Sequence, residues 1–289
     1  MIITRLNGGL GNQMFQYAAG RALAVRHGTT LKLDISNFGG NPERNYRLAA
    51  FDIKASIADK GEIEALRRDN VVQRLFRRMP LLATTIRISH VRERFFQYDS
   101  GFSTLPDNVY LDGYWQSERY FHDIEDIIRA DFTFVAEPDP VNREIAGRIA
   151  NTDSVAVHVR RGDYVSNAVA RDYHGVLALE YYNRAVSWIC GQVAEPHFYV
   201  FSDDPAWARD NLRVDHPVEY IDHNPPNRDY EDLRLMALCR NQVVANSSFS
   251  WWGAWLNHNP KKKIVAPARW FNQPDIDTSD LCPREWYRL

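Results

Sequence analysis

Gln242-Val243-Val244-Ala245-Asn246-Ser247-Ser248-Phe249-Ser250-Trp251-Trp252-Gly253-Ala254-Trp255-Leu256 runs from an apolar stretch through small polar residues into a cluster of large rings. Gln242 to Ala245 reads as a buried strand and Ser250 to Leu256 as a helix, with hydroxyl residues between them suited to N-capping. Working outward, the alternation repeats. Val155 to Val159, Phe198 to Phe201, Val218 to Ile221 and Lys263 to Ala266 read as strands. Glu180 to Ile189, Pro205 to Leu212 and Tyr230 to Cys239 read as helices. Strands alternating with helices imply a parallel sheet covered on both faces. Near the start, Ile2 to Leu6 and Thr30 to Ile35 are β-branched or apolar strands. They flank a helix from Phe15 to His27 that stops at Gly28. Val109 to Trp115 is another strand, and Glu62 to Met79 a helix. Ala136 to Pro140, with Pro138 and Pro140, reads as a linker. The expectation is two α/β halves, residues 1–137 and 138–289. Ligands would sit in a cleft between them, beyond the carboxyl ends of the strands.

Composition narrows the function classes. The chain has 289 residues and a formal net charge of -2, so no global basic footprint for nucleic acid exists. Three cysteines, Cys190, Cys239 and Cys282, are too few and too scattered for a disulfide framework or a zinc pattern. Cys190 and Cys239 read as buried small hydrophobes. Met1 to Leu6 leads directly into a glycine-rich turn without the apolar region of a signal peptide. No segment has the ~20 apolar residues of a membrane span. These readings imply a cytoplasmic protein. Arginine is dense between Arg67 and Arg94. The first reading is the solvated face of a surface helix; the second is a patch making peripheral contact with the inner face of a membrane or with an anionic acceptor.

Several strand ends carry polar residues suited to anion binding. Val157-His158-Val159-Arg160-Arg161-Gly162-Asp163-Tyr164 places two guanidinium groups where a strand ends, and arginine's planar fork of donors suits a diphosphate. A structural Arg–Asp pair is the alternative. Asn246 to Ser250 opens a helix whose free backbone N–H groups and serine side chains form an anion site, or simply a cap. Trp251, Trp252 and Trp255 read as core. Asn7-Gly8-Gly9-Leu10-Gly11-Asn12-Gln13 is a glycine turn between a strand and a helix, and its spacing is not the dinucleotide fingerprint. Ser202-Asp203-Asp204 has the paired carboxylates of a divalent-metal site. N-capping of the helix that begins at Pro205 explains Asp204 more simply, and no metal site is expected. Asp232, in the acidic start of its helix, is favoured there by the helix dipole. It could equally accept the N–H donors of a guanine edge.

Gly8 to Tyr17, His158 to Tyr164, Phe201 to Asp204 and Asp232 to Leu256 resemble, in order, the blocks of the α-1,2-fucosyltransferases of glycosyltransferase family 11, including bacterial ones. Residues 40 to 105 match nothing in that pattern. The resemblance implies a GT-B architecture of two Rossmann-like domains, acceptor-side first and GDP-fucose-binding second. It implies GDP-fucose as a substrate, inversion at the anomeric carbon, and neither cofactor nor metal. Arg160 would then contact the β-phosphate, His158 and Asp232 the nucleoside, and Ser247, Ser248 and Phe249 the pyrophosphate and its surroundings. Gly11, Arg161, Ser202, Asp203 and Asn246 complete the expected donor site. Asn12 would reach the cleft, and Asp163 and His174 are candidates for the base. The acceptor would be the 2-hydroxyl of a terminal galactoside on an oligosaccharide or lipid-linked glycan. A fucosyltransferase of other linkage (α-1,6 or O-linked) and a non-catalytic nucleotide-sugar or glycan-binding protein are the alternatives.

Overall fold

The computed structural model describes residues 1–39, 46–67 and 89–289, with the Asp163 side chain outside that description. The chain divides into two compact units, Met1–Thr133 and Phe134–Leu289.

The first unit contains β1 (Ile2–Arg5), α1 (Leu10–His27), β2 (Leu31–Asp34), β3 (Ser56–Ile57), α2 (Lys60–Arg67), β4 (His90–Arg92), β5 (Val109–Asp112) and α3 (Glu125–Asp131). Among the described residues its five strands are ordered β3-β2-β1-β5-β4, and every pair is parallel. Helix α1 lies tight on β1, because a Cβ at Gly20 would overlap Thr4 Oγ1. Arg26 and His27 sit in its last turn, and Gly28 terminates it with φ 59°, a left-handed conformation that glycine adopts without steric penalty. The helix read over 62–79 is described only as far as Arg67; its remainder, with most of the arginine-rich segment, lies outside the described residues. Arg92 and Arg94 are exposed. Strands β3 and β4 had no signal in the sequence. Each is very short and half-exposed or more, and pairing with its neighbour supplies what local propensity does not.

The second unit contains α4 (Pro140–Ala150), β6 (Asp153–Val159), α5 (Gly162–Ser166), α6 (Ala168–His174), α7 (Leu179–Cys190), β7 (Pro196–Ser202), α8 (Pro205–Asn211), β8 (Val218–Ile221), α9 (Asp229–Leu238), β9 (Asn241–Val243), α10 (Ser248–Leu256), β10 (Ile264–Ala266) and β11 (Tyr287–Arg288). The strand order is β11-β10-β9-β6-β7-β8, and all pairings are parallel. Alternation along the central strands sends side chains to two separate cores. Val155, Val157, Val159, Phe198 and Val200 face α7 and α8, whereas Ala156, Tyr199 and Phe201 face α4 and α9. Burying each such Val or Phe contributes about 1.5–3 kcal/mol. Ala136 to Pro140 is not all linker: Pro140 opens α4, and Asp139 caps it by accepting from Asn142 N, the favoured place for proline in a helix. Cys239 and Cys282 are buried, Cys190 is half-buried rather than buried, and all three are free thiols. Among the described residues no helix is long and apolar enough to cross a membrane.

Candidate functional site

Strand β6 sits between β7 and β9, with Val159 paired to Ser202 and Val157 to Val243. Because the three strands are parallel, their carboxyl ends come together; Arg160 directly follows β6, Asp203 directly follows β7, and Asn246 follows β9 after Val244 and Ala245. Arg160 Nη1 lies 2.9 Å from Asp203 Oδ2, and Arg161 N donates to Asp203 Oδ1 at 2.8 Å. A Cβ at Gly162 would sit 2.5 Å from Asp203 Oδ2, so only glycine lets the carboxylate fit under this turn. Ser202 Oγ donates to Val159 O and accepts from Asp204 N. Asp204 caps α8, accepting from Trp207 N, with Pro205 in the first turn. Arg161 is drawn to the same place, 3.4 Å from Asp204 and stacked 3.7 Å above the Trp207 ring. Ser202, Asp203, Asp204 and Arg161 therefore brace this end of the sheet, and Arg160 carries the positive charge that is about a third exposed there.

Aromatic rings connect Arg160 to the start of α10. The guanidinium lies 5.4 Å from the Tyr164 ring, and Tyr164 Oη donates to Asn246 O at 3.2 Å. The His174 ring stacks on Tyr164 at 4.6 Å with an interplanar angle of 7°, and also meets Tyr173 and Phe271. Asn246 Nδ2 donates to the carbonyls of His174 and Gly175, which ties the loop after β9 to the end of α6. Ser247 is the N-cap of α10 and accepts from Phe249 N at 3.3 Å; Ser248 opens the helix. Trp251, Trp252 and Trp255 are buried beneath. His158 is 4% exposed and lies 5.6 Å from the Phe249 ring. Burial first, and Arg160 second, hold its imidazole down to about 3, so it is neutral at physiological pH, and its buried Nδ1 has no hydrogen-bond partner among the described residues.

Asp232 belongs to the first turn of α9, with Asp229 and Glu231. A Cβ at Gly253 would come within 3.0 Å of Met236 Cε, so glycine lets α9 and α10 pack closely. Asp232 Oδ1 accepts from Asn224 Nδ2 at 2.7 Å. Burial pushes the carboxyl up to about 7, and Asp229 and Glu231 add to the rise against the opposing Asn224 bond. Glu231 is fully buried, paired with Arg228 and Arg234. Arg160, His158, Asn246, Ser247, Ser248 and Phe249 are thus brought together, and Asp232 lies on the helix packed against theirs. Two features of this region gave no signal in the sequence. Tyr164 stands at the end of a motif dominated by its arginines, and Asn224 acts on a residue in the next helix.

Gly11 and Asn12 lie in the first unit, in the first turn of α1 at the carboxyl end of β1. Gly8 has φ 81° and would meet Asn12 Nδ2 if it carried a Cβ. Asn12 Oδ1 accepts from Gln116 Nε2 at 2.7 Å, and Gln13 bridges Gly8 O and Arg47 N. The amides are held in fixed orientations by the glycine turn. Among the described residues no group of three or more His, Cys, Asp or Glu side chains is placed to hold a metal ion.

Residues 84–289 match the model of the family described as Glycosyl transferase family 11. The chain is 33% identical to an α-1,2-colitosyltransferase of Escherichia coli, over all of this chain and 99% of that protein. It is also 33% identical to the Escherichia coli O-antigen biosynthesis glycosyltransferase WbnK, over 98% of this chain and 99% of that one. Among solved structures, Arabidopsis thaliana FUT1 in complex with GDP superimposes with a TM-score of 0.52 at 13% identity, covering 91% of this chain and 69% of that one, a likeness of fold within the GT-B-like class. With the family's blocks in order along a parallel-sheet scaffold, and its model matched over most of the sequence, the chain belongs to glycosyltransferase family 11.

Proposed function

We propose that this glycosyltransferase moves a 6-deoxy-L-hexose, L-fucose foremost, from its GDP donor to the 2-hydroxyl of a terminal galactoside, with inversion and without a metal. The observation that carries this reading is the meeting of Arg160 with the serine-lined start of α10 through Tyr164 and Asn246. Negative charge grows on the β-phosphate as the glycosidic bond breaks. A guanidinium held in place by Asp203, and the amide end of a helix, stabilise that charge more in the transition state than in the bound donor. The carboxylates that a cation would need at this sheet end, Asp203 and Asp204, are already bonded to Arg160, Arg161 and the cap of α8. Asp232 offers a carboxylate oxygen to the N–H edge of guanine, and His158, neutral and buried beside Phe249, lines the nucleoside side. A base taking the acceptor proton is worth typically about 10²–10⁴-fold. Asp163 and His174 are its candidates, His174 from its seat against Tyr164.

Fucose and colitose differ at the 3-position, where colitose lacks the hydroxyl, and the 33% identity to a colitosyltransferase over the whole chain supports the second sugar as an alternative donor. The identity to an O-antigen glycosyltransferase supports a bacterial surface glycan as acceptor. An acceptor on a lipid carrier would bring the enzyme to the inner face of the membrane, with the arginine-rich segment 67–94 towards the headgroups. The test is incubation with GDP-fucose or GDP-colitose and a panel of β-galactosides, with and without EDTA, followed by mass and linkage analysis. The expected product is α-1,2-linked and its rate unchanged by EDTA. A different linkage, or a requirement for added Mn²⁺, overturns the corresponding part of the proposal.

A further inference from the structure

We propose that Asn224, with Asn142 behind it, is the positioning residue that aims Asp232 at the guanine edge and so sets the base specificity of the donor site. The inference rests on the donor reading above and assigns a role to residues outside the family's blocks.

The two asparagines form a closed pair. Asn142 Nδ2 donates to Asn224 Oδ1 at 2.8 Å, and Asn224 Nδ2 donates back to Asn142 Oδ1 at 3.1 Å. The second Asn142 Nδ2 hydrogen goes to Asp139 Oδ2 at 3.0 Å, and its Oδ1 also meets His223 Nε2 at 3.0 Å. Asn142 is fully buried, and the Asp139 carboxylate, which only accepts, fixes which end of its amide is nitrogen; Asn224 and His223 follow that choice. Asp139 can only accept as a carboxylate: Arg228 pairs with it at 2.8 Å, and the Asn142 bonds and Arg228 hold its carboxyl below the usual range. Flipping Asn142 would therefore set its oxygen against Asp139, and flipping Asn224 would set oxygen against oxygen and nitrogen against nitrogen.

Orientation is in this way passed from Asp139 at the start of α4, through two amides, to Asp232 at the start of α9. At the far end, the remaining Asn224 N–H reaches Asp232 Oδ1 at 2.7 Å. The Asn224 bond takes Oδ1 and leaves Oδ2 outside the pair, so one oxygen of Asp232 is fixed and the other is available to a ligand. A carboxylate anchored by one oxygen has its plane set before ligand arrives, which reduces the ordering that binding must supply. Guanine presents two adjacent N–H donors, N1–H and the 2-amino group. Hypoxanthine keeps only the first, and adenine offers an acceptor where guanine has N1–H. A carboxylate in a fixed plane separates all three; one free to rotate would separate them less.

The experiment compares binding of GDP, IDP, ADP and UDP by calorimetry to wild-type protein, Asn224→Ala and Asn224→Asp, together with donor KM and kcat. Asn224 lies in a half-exposed loop, and a retained thermal unfolding transition establishes that each variant is folded. Wild type is expected to prefer GDP over IDP by about tenfold or more, the worth of a hydrogen bond to a charged group. Both variants are expected to lose most of that preference and to raise donor KM about tenfold, with kcat at saturating donor within about twofold. A wild type that prefers GDP while folded Asn224→Ala keeps the full GDP-to-IDP ratio overturns the positioning role alone. A wild type with no preference for GDP over ADP and UDP overturns the donor reading and the positioning role with it.

Discussion

The two sheets end differently. At the carboxyl ends of β1 and β5, charge is matched within the protein: Asp112 is met by Arg5 at 2.9 Å, His90 at 3.4 Å and Arg92 at 3.6 Å. His90 and Arg5 hold its carboxyl down to about 2. Around this cluster stand neutral amides, Asn7, Asn12, Gln16 and Gln116, each bonded to backbone or to another side chain. At the carboxyl ends of β6 and β7, Arg160 and Arg161 are paired with Asp203 and Asp204, and Tyr164 links Arg160 to the loop before a serine-capped helix start with no acidic residue in its first turn. Parallel topology brings polar residues to the same edge in both sheets. Both edges carry ion pairs; the second adds a serine-capped helix start joined to its arginine through Tyr164, where the first has the glycine turn of α1. On the proposed function the second edge is the anion-binding end.

Breaking the anion-binding end gives the largest expected effect. Arg160→Ala, folded, is expected to lower turnover at least about 10²-fold, the scale of a lost oxyanion donor. Steady-state kinetics near those of wild type would remove Arg160 from the mechanism. The next effect sharpens the comparison through pH. Burial pushes the Asp232 carboxyl up to about 7, and on the proposed function its ionised form, with acceptors on both oxygens, holds the guanine N–H donors better than the acid, whose hydroxyl donates. Donor KM is therefore expected to rise towards tenfold per unit as pH falls below about 7, and to be flat in Asp232→Asn. The linkage has a second consequence. The folded carboxyl binds its proton more tightly than the unfolded one, whose ordinary value is 3.8, so Asp232 destabilises the fold increasingly between pH 3.8 and about 7. Asp232→Asn should abolish that slope in chemical denaturation across the interval, and a slope retained by the variant would assign it to another group. The smallest effect belongs to the edge of the first sheet. Asp112→Asn removes partly exposed ion pairs and is expected to lower stability by about 1 kcal/mol. Because the folded Asp112 carboxyl is depressed, this contribution is present above pH 3.8 and lost as pH falls to about 2. Donor KM should not move; a tenfold rise would place the donor against the first sheet.

How legible these regions were follows from what holds each element. Val155 to Val159 was readable because a strand buried on both faces is a near-continuous apolar run, interrupted here at His158. Arg160, Asn246 and Ser247 were then readable by position, as the residues after strand ends. Helix α4 was partly hidden because Pro138 and Pro140 look like linker chemistry, although a proline preceded by an aspartate is also a helix start. Strands β4 and β11, His90–Arg92 and Tyr287–Arg288, carry charges and draw their extended form from a neighbouring strand. The Asn142–Asn224 pair was beyond reach for another reason. Its members stand far apart in sequence on α4 and the loop after β8, and only the folded sheet makes them neighbours.

The tryptophans under the serine cap have a practical consequence. Trp251, Trp252 and Trp255 lie 5.0 and 5.2 Å apart at their closest ring centres, with Trp286 5.6 Å from Trp251. Indoles so near one another and rigidly held share their electronic excitation, which produces strong near-ultraviolet circular dichroism. The molecule thus carries an optical gauge directly beneath the helix start that Tyr164 and Asn246 link to Arg160, and the spectrum of a variant reports whether that helix is still seated before any substrate is added.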